Sequence, residues 1–226
     1  SYEKKIDIIG FHGQTIFHDS DKKISKQLGD GKLLSQLTKK IVVNRFRDQD
    51  LINGGQGAPL TPIFHSLISK ILDKKFNLGY PLNIINIGGI TNITQIMSEY
   101  DVQGRNLYAY DIGPGNCLID EWVRKNSTSK FDKDGEISKS GKVDNLTLNQ
   151  ALDNFELKTF KKSLDINDFD ISFAKGLSLE DGCATITKFS ASLISQGINK
   201  FNNSKTVKNL ICGGGRKNKS LINYIN

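Results

Sequence analysis

Two apolar runs that each end in consecutive glycines constrain this chain most. Leu82–Ile87 runs into Gly88-Gly89, and residues 207–212 run into Gly213-Gly214-Gly215. A short β-branched run stopped by glycine reads as a buried strand. The stretches between the two runs carry helical periodicity, so the pattern is α/β. Strand ends that bear glycine beside helices let backbone N–H groups approach a phosphate. One such turn is a weak signal. Two of them, with an aspartate-bearing loop between, point to a nucleotide site at a domain cleft.

The remaining pattern fits that class. Residues 5–11 and 14–18 read as strands, 32–37 as a short helix, and Ile41–Asn44 as a β-branched strand. Residues 62–74 place Ile63, Phe64, Leu67, Ile68, Ile71 and Leu72 at helical spacing behind a proline in the first turn. Residues 90–97 read as the antiparallel partner of 82–87. Residues 107–110 form a further strand, closed by a tight loop from Asp111 to Asn116. A helix is expected over 117–124. Residues 126–141 are polar and read as a loop or domain connection. Helices are expected over 146–155, over 179–201, and again from about Asn218.

Composition narrows the function. The chain has 226 residues, 37% hydrophobic and 24% charged, which suits a globular protein with a sizeable core. The net charge of +7 comes mostly from scattered lysines that are not interleaved with aromatics. That pattern excludes a clustered nucleic-acid face and suits a small anionic substrate. Cys117, Cys183 and Cys212 stand far apart, which argues for a reducing compartment without disulfides or structural zinc. No apolar run is long enough to span a bilayer, so no membrane partner is expected.

Several short constellations bear polar chemistry. Asp111 follows a strand and opens Gly113-Pro114-Gly115-Asn116. A carboxylate there serves as a general base, as a Mg²⁺ ligand, or as a helix cap. Gly88-Gly89 reads equally as an anion-facing turn or as a plain hairpin turn. His12-Gly13-Gln14-Thr15 offers donors and acceptors for sugar hydroxyls or an amide. His12 and His18 lack an evident third ligand, so no metal site is expected. Gly54-Gly55-Gln56-Gly57 precedes a helix and either shapes a pocket or permits close packing. The common phosphate-loop and dinucleotide fingerprints are absent.

Taken together, HGQT at 12–15, GGQGAPL at 54–60, NIGGITN at 86–92, DIGPGN at 111–116 and CGGG at 212–215 resemble, in order and spacing, the anhydro-N-acetylmuramic acid kinase family. The resemblance runs from about Ile6 to the end of the chain. It implies a ribonuclease-H-like, actin-like ATPase fold of two α/β domains, incomplete here at both termini. The first domain and the opening strands of the second would occupy 1–105, with the boundary near 80. The rest of the second domain would occupy 106–226. It implies ATP and Mg²⁺ as cofactors, an amino sugar as substrate, a cytoplasmic location and a homodimer. In this reading Asp111 is the general base. Gly88, Gly89, Gly113, Gly115, Asn116, Gly213, Gly214 and Gly215 face the nucleotide. His12, Gly13, Gln14, Thr15, Arg47 and Gln56 face the sugar.

Departures from the family pattern are visible. The family opens with a phosphate loop that lies before this chain's first residue, and continues past Asn226 with helices and a sugar-contacting acid. Arg45-Phe46-Arg47 stands where the family usually has Asp-Phe-Arg, which reverses a charge on the expected sugar side. Ile112 stands where threonine is usual. Two other readings stay open at this point: an inactive remnant that binds nucleotide, and an actin-like scaffold without chemistry.

Overall fold

The computed structural model describes residues 6–98, 106–155, 164–199 and 207–225. The chain packs as two compact units, Ser1–Leu60 and Thr61–Asn226. Among the described residues no helix is long and apolar enough to cross a membrane.

The first unit is built from small sheets. Strand β1 (Ile8–Phe11) pairs in parallel with β4 (Ile41–Asn44), Ile8 opposite Ile41. Strands β2 (Gln14–Asp19) and β3 (Ile24–Leu28) form an antiparallel hairpin with a bulge between Thr15 and Phe17. Helix α1 (Gly31–Thr38) starts at Asp30, whose carboxylate accepts from the N–H groups of Lys32 (2.8 Å) and Leu33 (3.1 Å). A short helix α2 (Asp48–Ile52) follows β4. The sequence reading missed β3 and α2, which are too short to show periodicity. Leu51, 2% exposed, is the one fully buried apolar side chain among this unit's described residues. Ile8, Ile41 and Leu37 stand 59%, 67% and 73% exposed. This unit therefore gains little of its stability from its own apolar burial.

The second unit holds the main core. Helix α3 (Pro62–Phe76) begins with its proline and ends at Asn77 in the left-handed region. The sheet comprises β5 (Leu82–Ile87), β6 (Ile90–Ile96), β7 (Leu107–Pro114) and β8 (Lys208–Cys212) in the order β7-β6-β5-β8. β5 pairs in parallel with β8, and the other neighbours are antiparallel. β5 is central, so Leu82, Ile84, Ile85 and Ile87 are all buried. Helices α4 (Cys117–Asn126), α5 (Glu136–Ser140), α6 (Asn145–Asp153), α7 (Leu179–Asn199) and α8 (Lys219–Ile225) complete the unit. Ile85, Ile93 and Tyr110 share one core with Phe189, Leu193 and Ile194 of α7. His65 of α3 reaches Thr94 of β6 through Nδ1 and Oγ1, 2.8 Å apart. The expected helix ending at 201 is described to Asn199; its last two residues, like residue 105 at the expected domain limit, lie outside the described ones.

Two expectations are corrected. The segment from Asp111 to Pro114 is not a loop: it continues β7, held by pairing of Thr91 with Gly113 and Ile90 with Pro114. Residues 126–141 are not a bare connection. They form a 3-10 turn (Lys133–Gly135) and α5, organised by Asp132. That carboxylate is 5% exposed. It accepts from Ile137 N–H (2.8 Å), Ser138 N–H (3.2 Å) and Ser138 O–H (2.6 Å). Removing it takes the acceptor from the N–H groups of Ile137 and Ser138, while Ser138 O–H keeps the Gly135 carbonyl at 3.1 Å. Asp132→Ala is expected to cost about 3 kcal/mol in a urea titration, with Asp132→Asn losing less because one acceptor survives.

Candidate functional site at the carboxyl ends of the sheet

β5, β7 and β8 run in the same direction, so their carboxyl ends lie along one edge of the second unit's sheet. All three carry the glycine motifs. After β5, the register pairs Ile87 with Thr91 and leaves Gly88, Gly89 and Ile90 in the connection. Gly88 N–H donates to Ile90 C=O at 3.2 Å. Neither Gly88 nor Gly89 has a positive φ. The usual hairpin reason for glycine, a left-handed turn residue, is therefore absent.

The glycines sort into two groups by what an added Cβ would meet. At Gly115 it would strike the carbonyl of Gly88; at Gly213, the Ile87 carbonyl; at Gly215, the Ile87 side chain. Gly113 and Gly213 also have φ of +147° and +83°. These four serve the chain's own folding. At Gly89 the nearest atoms would be at 3.9 and 4.0 Å, and at Gly214 only Asn116 Nδ2 at 3.9 Å. Gly88 would meet nothing closer than 3.4 Å. Gly88, Gly89 and Gly214 therefore have no internal packing reason to be bare. Such bareness suits the close approach of another molecule.

The Asp111 segment closes onto the Gly88-Gly89 connection. Gly115 N–H (2.8 Å) and Cys117 N–H (3.2 Å) donate to Gly89 C=O, and Asn116 N–H donates to Gly88 C=O at 2.8 Å. The N–H groups of Gly115, Asn116 and Cys117 that lead into α4 are thus already paired within the protein. Asn116 makes no side-chain cap bond and lies beside Gly214 and Gly215. Arg216 donates from Nη1 to Gly213 C=O at 2.6 Å and so braces the third glycine turn.

Asp111 is half-buried in β7. Leu164 N–H donates to its Oδ2 at 2.8 Å. Burial pushes its carboxyl above the usual aspartate range, and the Leu164 bond opposes that rise. A carboxylate with one oxygen held and a raised proton affinity can take a proton. The nearby thiols are unsuited to nucleophilic work, since burial pushes Cys117 up to about 11 and also raises Cys212.

The expected sugar-side residues lie in the first unit. His12 Nε2 accepts from Arg47 Nε at 3.2 Å, and His12 Nδ1 bonds Gly13 C=O at 2.9 Å. The first bond requires Nε2 unprotonated, so Nδ1 carries the hydrogen. Burial lowers the Arg47 guanidinium below its ordinary value. Gly13 has φ of +72°. Thr15 Oγ1 accepts from Gln27 at 3.4 Å, Gln14 turns to the Thr15 carbonyl, and Gln56 is exposed. His18 Nδ1 faces Ser25 Oγ at 3.2 Å. A groove of 850 Å³ in this unit is lined by His12, Ser25, Gln27, Arg45 and Asp48, among others. Of the residues expected to face a sugar, His12 alone lines it. Arg45 pairs with Asp48 at 2.6 Å in a solvent-exposed contact, which neutralises the reversed charge locally.

Sequence reading missed Asn86, Asn92 and the Leu164 N–H. The first two flank the Gly88-Gly89 connection, and a hairpin register would have placed them opposite each other. The third depends on a contact across 53 residues and leaves no local signal.

Three codirectional strand ends with bare glycines and one carboxylate are the arrangement at which open α/β sheets as a class take their ligands, outside the carboxyl edge of the strands. The family model for anhydro-N-acetylmuramic acid kinase matches residues 2–226, and the chain belongs to that family. It is 52% identical over 225 residues to the anhydro-N-acetylmuramic acid kinase of Pelagibacter ubique, covering 97% of this chain and 58% of that protein. It is 38% identical over 216 residues to the enzyme so named from Rhodospirillum rubrum, with coverage of 95% and 55%. Against that of Acidiphilium cryptum it is 37% identical over 225 residues, with coverage of 98% and 59%. The chain therefore spans between half and three fifths of the length of these relatives.

Proposed function

We propose that this chain carries the general base and the nucleotide-facing turns of an ATP-dependent kinase that opens 1,6-anhydro-N-acetylmuramic acid and phosphorylates its O6. The observation that carries the reading is that Asp111 lies at the same carboxyl edge of one sheet as Gly88, Gly89 and Gly214, glycines that the protein's own packing does not require. Family membership supplies the substrate class.

In this reading Asp111 takes a proton from water as the water oxygen bonds C1. The C1–O6 bond breaks, and O6 receives the γ-phosphoryl group. ADP and N-acetylmuramic acid 6-phosphate are released. Positioning and charge neutralisation dominate such a transfer. Gly88, Gly89 and Gly214 leave room for the nucleotide, and Asn116 offers a carboxamide beside it. Among the described residues no group of three or more His, Cys, Asp or Glu gathers to hold a metal. Mg²⁺ of the kind that rides on nucleotide phosphates fits this arrangement, and it would neutralise the phosphate charge. His12, Gly13, Gln14, Thr15, Arg47 and Gln56 are assigned to the amino sugar. On this reading the boundary between the ribonuclease-H-like domains lies near residue 80 and the sheet that begins at Leu82 opens the second, although the second compact unit already begins at Thr61.

Incubation with Mg-ATP and the anhydro sugar, in water labelled with heavy oxygen, tests this. The expected product is the 6-phosphate with the label at the C1 hydroxyl. Nucleotide binding without product would support the inactive-remnant reading, and neither binding nor product would overturn the assignment.

A further inference from the structure

Directly opposed residues in a sheet share a face, with Cβ atoms about 4.5–5.5 Å apart. In the second unit Asn86 is opposite Asn92, Asn92 is opposite Asp111, and Asn86 is opposite Cys212. One polar row therefore crosses all four strands just before the glycine turns. The adjacent row, on the other face, is Ile211, Ile85, Ile93 and Tyr110. Asparagine is disfavoured in strands, and a half-buried amide without a hydrogen bond is costly. Asn86 has the thiol of Cys212 at 3.9 Å. Asn92 is half-buried and has no side-chain hydrogen bond among the described residues. Asp111 has Oδ2 held by Leu164, while Oδ1 has no such partner among the described residues. The two side chains are neighbours that do not bond each other. A single small hydroxylic molecule between them would satisfy both.

We propose that Asn92 and Asp111 hold the nucleophilic water between them. This rests on the kinase reading above. Asp111 Oδ1 accepts one hydrogen of the water, and the carboxamide oxygen of Asn92 accepts the other. As the water oxygen bonds C1 and the C1–O6 bond breaks, the first hydrogen passes to Asp111 as a proton. The second stays on the new C1 hydroxyl, still directed at Asn92. A neutral amide suits this position because it orients the water without competing for its proton. A carboxylate there would place a like charge beside Asp111.

The test uses Asn92→Ala and Asn92→Asp in the full chain. Asn92→Ala is expected to lower kcat by about 10–100-fold, with KM for ATP and for the sugar within about twofold of the parent and an unchanged melting temperature. Asn92→Asp is expected to move the Asp111 titration upward, read by carboxyl-carbon NMR without any turnover. An unaltered kcat in Asn92→Ala, or a loss confined to KM, overturns the proposal while leaving the kinase reading intact. An Asp111 titration unmoved in Asn92→Asp also overturns it, because the two groups would then not be neighbours. A parent that neither binds nucleotide nor forms product overturns both.

Discussion

Asp111→Asn is expected to lower kcat for sugar phosphorylation by about 10²–10⁴-fold and to leave the protein at least as stable as the parent at neutral pH. The loss follows from the proposed role as base: an amide cannot take the proton from water. The retained stability follows from the burial. Asn keeps an oxygen that can accept from Leu164 N–H, and it carries no charge to desolvate. In the parent the folded state raises the Asp111 pKa, chiefly by burial. The folded protein therefore binds this proton more tightly than the unfolded chain. That contribution to stability is complete below the unfolded pKa and is lost as pH rises through the folded one. Melting temperatures of parent and variant should converge in acid and separate above the folded titration, with the variant higher. The same shift displaces the acid limb of kcat/KM above the ordinary aspartate range, since only the ionised base works. An Asp111→Asn protein that keeps full turnover would remove Asp111 from the chemistry.

The second large effect separates two kinds of glycine. Gly89→Ala and Gly214→Ala are expected to weaken binding of ADP by about tenfold or more, a change of about 1.4 kcal/mol, while unfolding midpoints stay within about 0.5 kcal/mol of the parent. Neither position has a positive φ, and neither added Cβ meets an atom closer than 3.9 Å. Gly115→Ala should behave in the opposite way. Its Cβ would strike the Gly88 carbonyl, which accepts the Asn116 N–H, so the Asp111 segment must lift off the connection. Overpacking of that kind costs about 1–3 kcal/mol. Fluorescence titration with ADP, paired with urea unfolding of the same samples, distinguishes the groups. Equal nucleotide affinity in all three variants and the parent would place the nucleotide elsewhere.

Much of the fold was legible from local pattern. β5 is a continuous apolar run because it is the central strand, buried on both faces. α7 announced itself through Ile186, Phe189, Leu193, Ile194 and Ile198, all buried. α3 began at its proline as expected. Asp111 stood out because a carboxylate followed a strand and preceded two glycines. Each of these signals lies within a few residues of its cause.

Other features were settled at longer range. Gly113 and Pro114 read as a loop, but pairing with β6 drew them into β7 and overrode their turn preference. Residues 126–141 lacked periodicity, yet the buried Asp132 gathered the donors that shape them. Local pattern was enough for the α/β class, the glycine-ended strands and the position of the candidate base. Which glycines the fold needs, and which side chains stand beside Asp111, came only from long-range packing. The reason is register: Asn86 meets Cys212 across 126 residues of chain. Such a contact is selected by the summed burial of the whole sheet, not by the preference of either residue.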